Sequence, residues 1–329
     1  MDTFRALIAE GSADHYSTSF KELTGDQLPA GEVLIDVEYS SLNFKDALAV
    51  TGRGKVIRTF PMVCGIDLAG RVLASTSPEF AEGDDVLIVG QGLGETIWGG
   101  YSGRARVPAQ AALHVPAGLD GKRAMAIGTA GFTAMLSVIA LEHQGVTPSG
   151  REVLVTGASG GVGSIAVALL AASGYKVAAS TGRSETHAYL RDLGATTIID
   201  RAELARKTSP LASERWAGAV DTVGGQTLAS LIAAAAAYGA VAVCGLAGGT
   251  ELSTTVFPFI LRNVSLLGIN SVYTPQPLRK RAWDRLAHSP LVRQLDTIAI
   301  VEPLAKVHEL SERLLAGQVR GRIVLDVHA

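Results

Sequence analysis

The spacing of apolar positions along this chain changes near residue 123. Before it, short runs alternate or cluster β-branched residues between Gly, Pro and Asp signals: EVLIDVEYSSL (32–42), DLAGRVLA (67–74) and DDVLIVG (84–90). Such runs predict strands of an antiparallel, barrel-like β domain. After it, strand and helix patterns alternate. REVLVTG (151–157), YKVAAST (175–181), TTIID (196–200) and AGAVDTVG (217–224) read as strands, and VGSIAVALLAASG (162–174) and SETHAYLRDLG (184–194) as helices. This alternation predicts a doubly wound parallel sheet whose strands all end on one edge. The tail, PLAKVHELSERLLAGQVRGRIVLDV (303–327), reads as an amphipathic helix, a glycine stop and a last strand. Leu304, Val307, Leu310, Leu314 and Leu315 share the helix's apolar face, and the tail is expected to return to the first domain.

An uncharged stretch from Thr222 to Thr250 needs a check against a bilayer. Tyr238-Gly239 splits it, and Gly224-Gly225 and Gly248-Gly249 bracket it. A span needs roughly 20 unbroken apolar residues. The expectation is therefore a buried helix near 226–237, a buried strand near 240–244 and no membrane.

Composition narrows the function classes. The chain has 329 residues, 47% hydrophobic and 18% charged, enough for one large or two medium domains and unlike a disordered chain. A net charge of −2 with scattered Lys and Arg argues against nucleic acid. The longest basic run, Arg279-Lys280-Arg281, reads as a solvated helix face. The two cysteines, Cys64 and Cys244, form no CxxC pair, so neither a structural zinc site nor a disulfide framework is expected. Together with a start, MDTFRALIAEGSADH, that lacks a signal-peptide core, this predicts a reducing, cytoplasmic location.

The candidate chemistry begins at VTGASGGVG (155–163). Val153, Leu154 and Val155 end a strand, Gly157, Gly160, Gly161 and Gly163 make a turn, and an apolar helix follows. Glycine permits a tight turn, lets the backbone approach a pyrophosphate and lets helix and strand pack closely. The helix N-terminus adds free N–H donors. No Lys-Ser or Lys-Thr follows the last glycine, which excludes a P-loop. A short-chain dehydrogenase would carry this turn near its N-terminus and a Tyr-xxx-Lys pair, and no tyrosine here has lysine four positions later. The next strand ends in Ser180-Thr181-Gly182-Arg183 rather than Asp or Glu. A carboxylate would repel a 2′-phosphate, whereas a hydroxyl and a guanidinium bind it, so the expected cofactor is NADPH. Arg201 follows the third strand and could flank the adenine.

Several stretches in order along the chain resemble the zinc-free, quinone-oxidoreductase-like branch of the medium-chain dehydrogenase/reductase superfamily, closest to its acrylyl-CoA reductase (NADPH) group. They are SSLNFKDALAVTGRG (40–54), FPMVCGIDLAGRV (60–72), WGGYSGRARV (98–107), IGTAGFTAML (127–136), VTGASGGVG (155–163), STGR (180–183), WAGAVDTVGG (216–225), CGLAGG (244–249) and PFILRNVSLLGINSV (258–272). The resemblance implies a discontinuous GroES-like domain, 1–122 completed by 296–329, and an inserted Rossmann domain, 123–295, with the cofactor in the cleft. It implies NADPH contacts at Phe44, Ser159, Gly160, Gly161, Val162, Thr181, Gly182, Arg183, Arg201, Leu246, Ile260, Ser271 and Arg322. It also implies that Asn43 lies near the site of hydride transfer and that the chain assembles as a homodimer.

One departure shapes the expected reaction. Where zinc alcohol dehydrogenases carry Gly-His-Glu, this chain has Gly65-Ile66-Asp67, and isoleucine cannot ligate a metal. Without a Lewis acid, conjugate reduction makes lower demands than alcohol oxidation: hydride enters the β-carbon of an activated alkene and hydrogen-bond donors hold the enolate. The expected substrate is a small enoyl-CoA, acrylyl-CoA giving propanoyl-CoA. A quinone or enone reductase, and an NADPH-binding protein without turnover, are the alternatives. Asn43 could position substrate, donate to the enolate or cap a turn. Asp67 reads as structural, and Tyr101 and Tyr273 are possible acids. Arg53, Lys55 and Arg58, or the 279–281 run, could meet the CoA phosphates.

Overall fold

A computed structural model describes residues 3–148 and 150–329. Its contacts divide the chain into two compact units, one of residues 1–129, 272–287 and 295–329, the other of residues 130–271 and 288–294.

The first unit is built on two sheets. The larger orders its strands Ala299–Pro303, Arg322–Asp326, Val33–Leu42, Asp67–Ser75, Asp85–Val89 and Leu113–His114, with Arg104–Val107 also paired to Val33–Leu42. Every pairing in it is antiparallel except that of the last two chain-order strands, 299–303 with 322–326. The smaller sheet joins His15–Thr24, Thr3–Ser12 and Met62–Val63. Alternation drives the packing: Val33, Ile35 and Val37 point inward with Leu68, Val72, Val86 and Ile88 to form one apolar cluster. A second cluster receives the tail. Leu304, Val307 and Leu310 are buried in it with Ile323 and Leu325, and Leu314 packs partly against it, whereas Leu315 is half-buried and does not join it. The tail strand pairs Ile323 with Leu42, so the end of the chain is woven into the first unit.

The basic run 279–281 departs from its reading as a solvated face. On the helix Gln276–Ala287, Lys280 and Arg281 are exposed but Arg279 is wholly buried. Its guanidinium donates to the carbonyl oxygens of Gln110 (3.3 Å), which also accepts from Gln276 Nε2 (3.1 Å), and of buried Ala111. Burial pulls its pKa down to about 10.

The second unit is a six-stranded, all-parallel sheet in the order Ala195–Asp200, Val177–Thr181, Glu152–Val155, Trp216–Asp221, Ala235–Val243, Ser265–Gly268. Strand order reverses beside Glu152–Val155, the place where doubly wound sheets open a crevice at their C-terminal edge. Leu154, Ala178, Trp216, Leu231, Ile232 and Val241 close the core on one face. The predicted helix over 226–237 runs from Gly225 to Ala234, and the next strand already starts at Ala235. Alanine fits either state; Arg262 decides the boundary by donating to the carbonyl oxygens of Ala233 (3.1 Å) and Ala235 (3.2 Å).

One element straddles both units. The helix Gly121–His143 is long and apolar enough to cross a bilayer, but 89% of its apolar window is buried inside the protein. It breaks at Gly128 (φ 50°, ψ −162°), where a Cβ would press on Arg322 Nη2, Asp67 Oδ2 and Ser41 Oγ.

Arg279→Ala should leave the buried Ala111 carbonyl without its donor beside a cavity and cost about 1–3 kcal/mol. Urea unfolding should show a lower midpoint for this variant and little change for Arg281→Ala on the exposed side of the same helix.

Candidate functional site

The glycine turn is clasped from below. Thr156 Oγ1 donates to Asp221 Oδ1 (2.6 Å), and Thr222 Oγ1 donates to the Thr156 carbonyl (3.0 Å). Asp221 also accepts from the Gly224 N–H (2.8 Å), while burial raises its pKa. These bonds fasten the ends of the two central strands together at the sheet's switch point. Side chains are excluded there: a Cβ on Gly157 (φ 55°) would strike Thr222 Oγ1, and one on Gly163 would lie 2.6 Å from Ala158 Cα. Gly160 caps the helix Gly161–Ala172, leaving the N–H groups of its first turn for a ligand.

The end of the Val177–Thr181 strand collects hydroxyls and cations. Arg183 Nη2 donates to Ser159 Oγ (2.8 Å), and Ser159 Oγ lies 3.2 Å from Thr181 Oγ1. Arg201 passes across Gly182, whose missing Cβ makes the room: one there would lie 2.6 Å from Arg201 Cδ. Two guanidinium groups and two hydroxyls thus converge on 181–183, a donor set that fits a 2′-phosphate, while Asp200, across from Thr181 on the next strand, has its carboxylate held by the Ala202 N–H (2.8 Å). Val162 is half-buried on the helix's first turn. Leu246, 57% exposed, sits on the 244–249 loop, which is clipped to the neighbouring turn by Gly248 N–H donating to the Val223 carbonyl (2.7 Å). Ile260 is exposed on the short helix Phe257–Arg262, and Ser271 is half-buried at the end of this unit.

In the first unit, Asn43, Phe44 and Arg322 surround a buried acid cluster. Phe44 opens the helix Phe44–Thr51 and is 43% exposed. Asn43 Nδ2 donates to Asp46 Oδ2 (3.0 Å) and Asp67 Oδ2 (2.9 Å), and its Oδ1 accepts from Arg322 Nη1 (3.1 Å). Its amide is therefore engaged within the cluster. Arg322, wholly buried, also donates to Ser41 Oγ (2.8 Å) and to the carbonyls of Leu42 and Ala126 (both 3.2 Å). Burial lowers its pKa while Asp67 and Asp46 pull it back up. Asp67 accepts from Ser41 Oγ (2.5 Å), Asn43, and the N–H (2.9 Å) and Oγ1 (2.5 Å) of Thr129. Asp46 accepts from the Asn43 and Ile66 N–H groups, each at 2.9 Å. Burial, then the charge of Asp67, pushes its pKa up to about 7.

The other candidates fall outside this cluster or below it. Tyr101 is wholly buried, donates to the Ser41 carbonyl (3.1 Å), and has its pKa raised by burial, so it cannot meet a substrate as an acid. Tyr273 is 64% exposed. Arg53 pairs with Glu312 and Lys55 with Asp14, all on the surface. Zinc does not fit the 64–67 segment: Ile66 has no donor, Cys64 is buried with its pKa raised by burial, and every Asp67 oxygen is occupied. Sequence reasoning passed over Asp46, Thr156 and Asp221. Asp46 had a local signal, an acid three residues after the capping Asn43; the Thr156–Asp221 pair joins distant strands and had none.

Residues 29–117 match the alcohol dehydrogenase GroES-like domain and residues 161–288 the zinc-binding dehydrogenase family. The chain is 47% identical to acrylyl-CoA reductase AcuI of Ruegeria pomeroyi, covering 99% of this chain and 100% of that protein. It is similar to the yhdH oxidoreductase from Salmonella enterica in complex with NADP, at 51% identity and a TM-score of 0.95, over 98% of this chain and 99% of that one. The structure of Bacillus subtilis protein yhfP with NAD bound is similar at 44% identity and a TM-score of 0.94, over 99% of this chain and 100% of that one.

Because Asp46 holds its proton more tightly folded than unfolded, the native chain binds an extra proton between about pH 4 and pH 7. Its contribution to stability is largest at the acid end of that window and is lost as pH rises to about 7. Urea midpoints at about pH 5 and pH 8 should fall more steeply for the parent chain than for Asp46→Asn; parallel slopes would refute the assignment.

Proposed function

The chain belongs to the medium-chain dehydrogenase/reductase family, and from that premise we propose that it reduces the C=C bond of a small 2-enoyl-CoA with NADPH, acrylyl-CoA giving propanoyl-CoA. The observation that carries the reading is the full-length likeness to acrylyl-CoA reductase AcuI, joined to a donor set at 181–183 that suits a 2′-phosphate.

Reduced nicotinamide, when bound, supplies a hydride. The chain's own residues divide the remaining work. Ser159, Gly160, Gly161 and Val162 would take the pyrophosphate on backbone N–H groups, and Thr181, Gly182, Arg183 and Arg201 the 2′-phosphate. Leu246, Ile260 and Ser271 would provide apolar and polar contacts toward the nicotinamide, the first two by side chains that are already exposed. Phe44 would offer its open face to the cofactor. Asn43 and Arg322 would work beneath it, fixing the first turn of its helix, because their polar atoms are spent on one another and on the acids. The carbonyl next to the alkene would accept hydrogen bonds as negative charge moves onto it, a demand met by donors rather than by a metal.

Two companion readings follow. The edge strand Ser265–Gly268 is paired on one side only and carries exposed Leu266, which suits association with a second copy as a homodimer. Two free cysteines and the absence of a disulfide among the described residues suit a reducing cytoplasm.

NADPH consumption should be rapid with acrylyl-CoA, slower with crotonyl-CoA and slowest with a quinone; quinone turnover exceeding both thioesters would replace this reading by the quinone reductase. Arg183→Ala should weaken NADPH by about 10-fold or more, as expected for a lost charge-assisted bond, while barely moving NADH. Equal weakening of both would remove the case for the phosphorylated cofactor.

A further inference from the structure

Lys45 and Glu95 form an ion pair that neither the dinucleotide turn nor the acid cluster uses. Lys45 Nζ lies 2.9 Å from Glu95 Oε1, with the Glu95 side chain 9% exposed and that of Lys45 35% exposed. Two features set this pair apart from an ordinary surface contact. Lys45 stands in the first turn of the helix Phe44–Thr51, where the partial positive charge of the helix end disfavours a cation. Glu95, in turn, is delivered by a backbone under constraint. Gly90, Gln91, Gly92 and Gly94 all have positive φ, and Gln91 at φ 56° is not a glycine. The main chain and side chain of Gln91 are both held by the Val272 carbonyl, at 3.0 and 2.9 Å. Gly94 lies so close to Gly65 that a Cβ would sit 2.9 Å from its oxygen, and the Arg58 N–H donates to the Glu95 carbonyl (2.9 Å). Strain of this kind persists where surrounding structure over-determines it, and it concentrates at working sites.

The rest of this turn is already committed: Asn43 and Asp46 point into the buried cluster. Lys45 is the charged side chain of the turn that reaches partly into the open, beside exposed Phe44. Glu95 takes one of its three N–H donors, and among the described residues no other acceptor meets it.

We propose that Lys45, oriented by Glu95, donates a hydrogen bond to the thioester oxygen during the reduction; this rests on the enoyl-CoA reading above. Hydride transfer would break a nicotinamide C–H bond, oxidising NADPH to NADP+, and form a C–H bond at the β-carbon. The π bond breaks and its electron pair moves through the α-carbon to the carbonyl oxygen, giving an enolate. Lys45 holds that oxygen by a charge-assisted hydrogen bond and keeps its proton. The enolate then re-forms C=O as the α-carbon takes a proton from water. Glu95 acts as a positioning residue, keeping the ammonium aimed without neutralising all of its donors.

The test compares Lys45→Met, Lys45→Arg and Glu95→Gln with the parent enzyme. It measures kcat and KM for acrylyl-CoA and, by NADPH fluorescence without substrate, the Kd for cofactor. Lys45→Met should lower kcat about 100-fold, as loss of an oxyanion donor does, with the NADPH Kd within about twofold. Lys45→Arg should recover about 10-fold of that loss, and Glu95→Gln should lower kcat about 10-fold at unchanged NADPH Kd. If Lys45→Met does not fold, the other two variants decide. Full kcat in Lys45→Met or in Glu95→Gln, or a loss of NADPH binding as large as the loss of kcat, overturns the assignment. A parent enzyme that turns over quinones but no thioester overturns the enoyl-CoA reading and this assignment with it.

Discussion

A carboxylate sealed away from water must find donors, and Asp67 finds four from Ser41, Asn43 and Thr129. That requirement organises the first unit. It ties the end of the Val33–Leu42 strand to the cap of the next helix, and both to Gly128-Thr129, where the long helix breaks. Arg322, brought back by the chain's last strand, closes the cluster through Ser41 and Asn43 rather than by touching either acid directly. The same geometry sets the chemistry. With Ile66 apolar and both Asp67 oxygens filled, this segment stabilises structure instead of supplying a metal ligand set.

In the second unit a comparable clasp, Thr156 to Asp221, joins the two strands between which the sheet reverses order. Glycines are needed above it because neighbouring atoms occupy the space a Cβ would take at Gly157 and Gly163. Beyond the next strand, Arg183 reaches Ser159 and Arg201 passes across Gly182, so that two guanidinium groups stand beside the strand end Val177–Thr181.

Much of this was legible in the chain. Alternating apolar residues marked Val33–Leu42, Asp67–Ser75 and Asp85–Val89, and the change of period near residue 123 announced the parallel sheet. The hairpin Thr3–Ser12 and His15–Thr24 was not recognised: much of its second strand lies on the surface, and no Asn-Gly or Asp-Gly turn marks the link. The helix Gly121–His143 was equally silent because it is apolar on all sides and interrupted by Gly128, so no amphipathic period shows. Arg279 misled because a cation within a basic run looks solvated, and only the fold supplies the carbonyls that bury it. The partners of Asp67, Asp221 and Glu95 lie tens of residues away, beyond what local spacing can reveal.

The central claim is that hydride enters the β-carbon of an alkene conjugated to a thioester. Single-turnover reduction of acrylyl-CoA with NADPH carrying deuterium at the transferable nicotinamide position, read by NMR of the propanoyl-CoA formed, tests it most directly. The account predicts one deuterium on the terminal carbon and none on the carbon beside the thioester. Deuterium on the carbonyl carbon, as in reduction to an aldehyde or alcohol, or on the α-carbon, would contradict it.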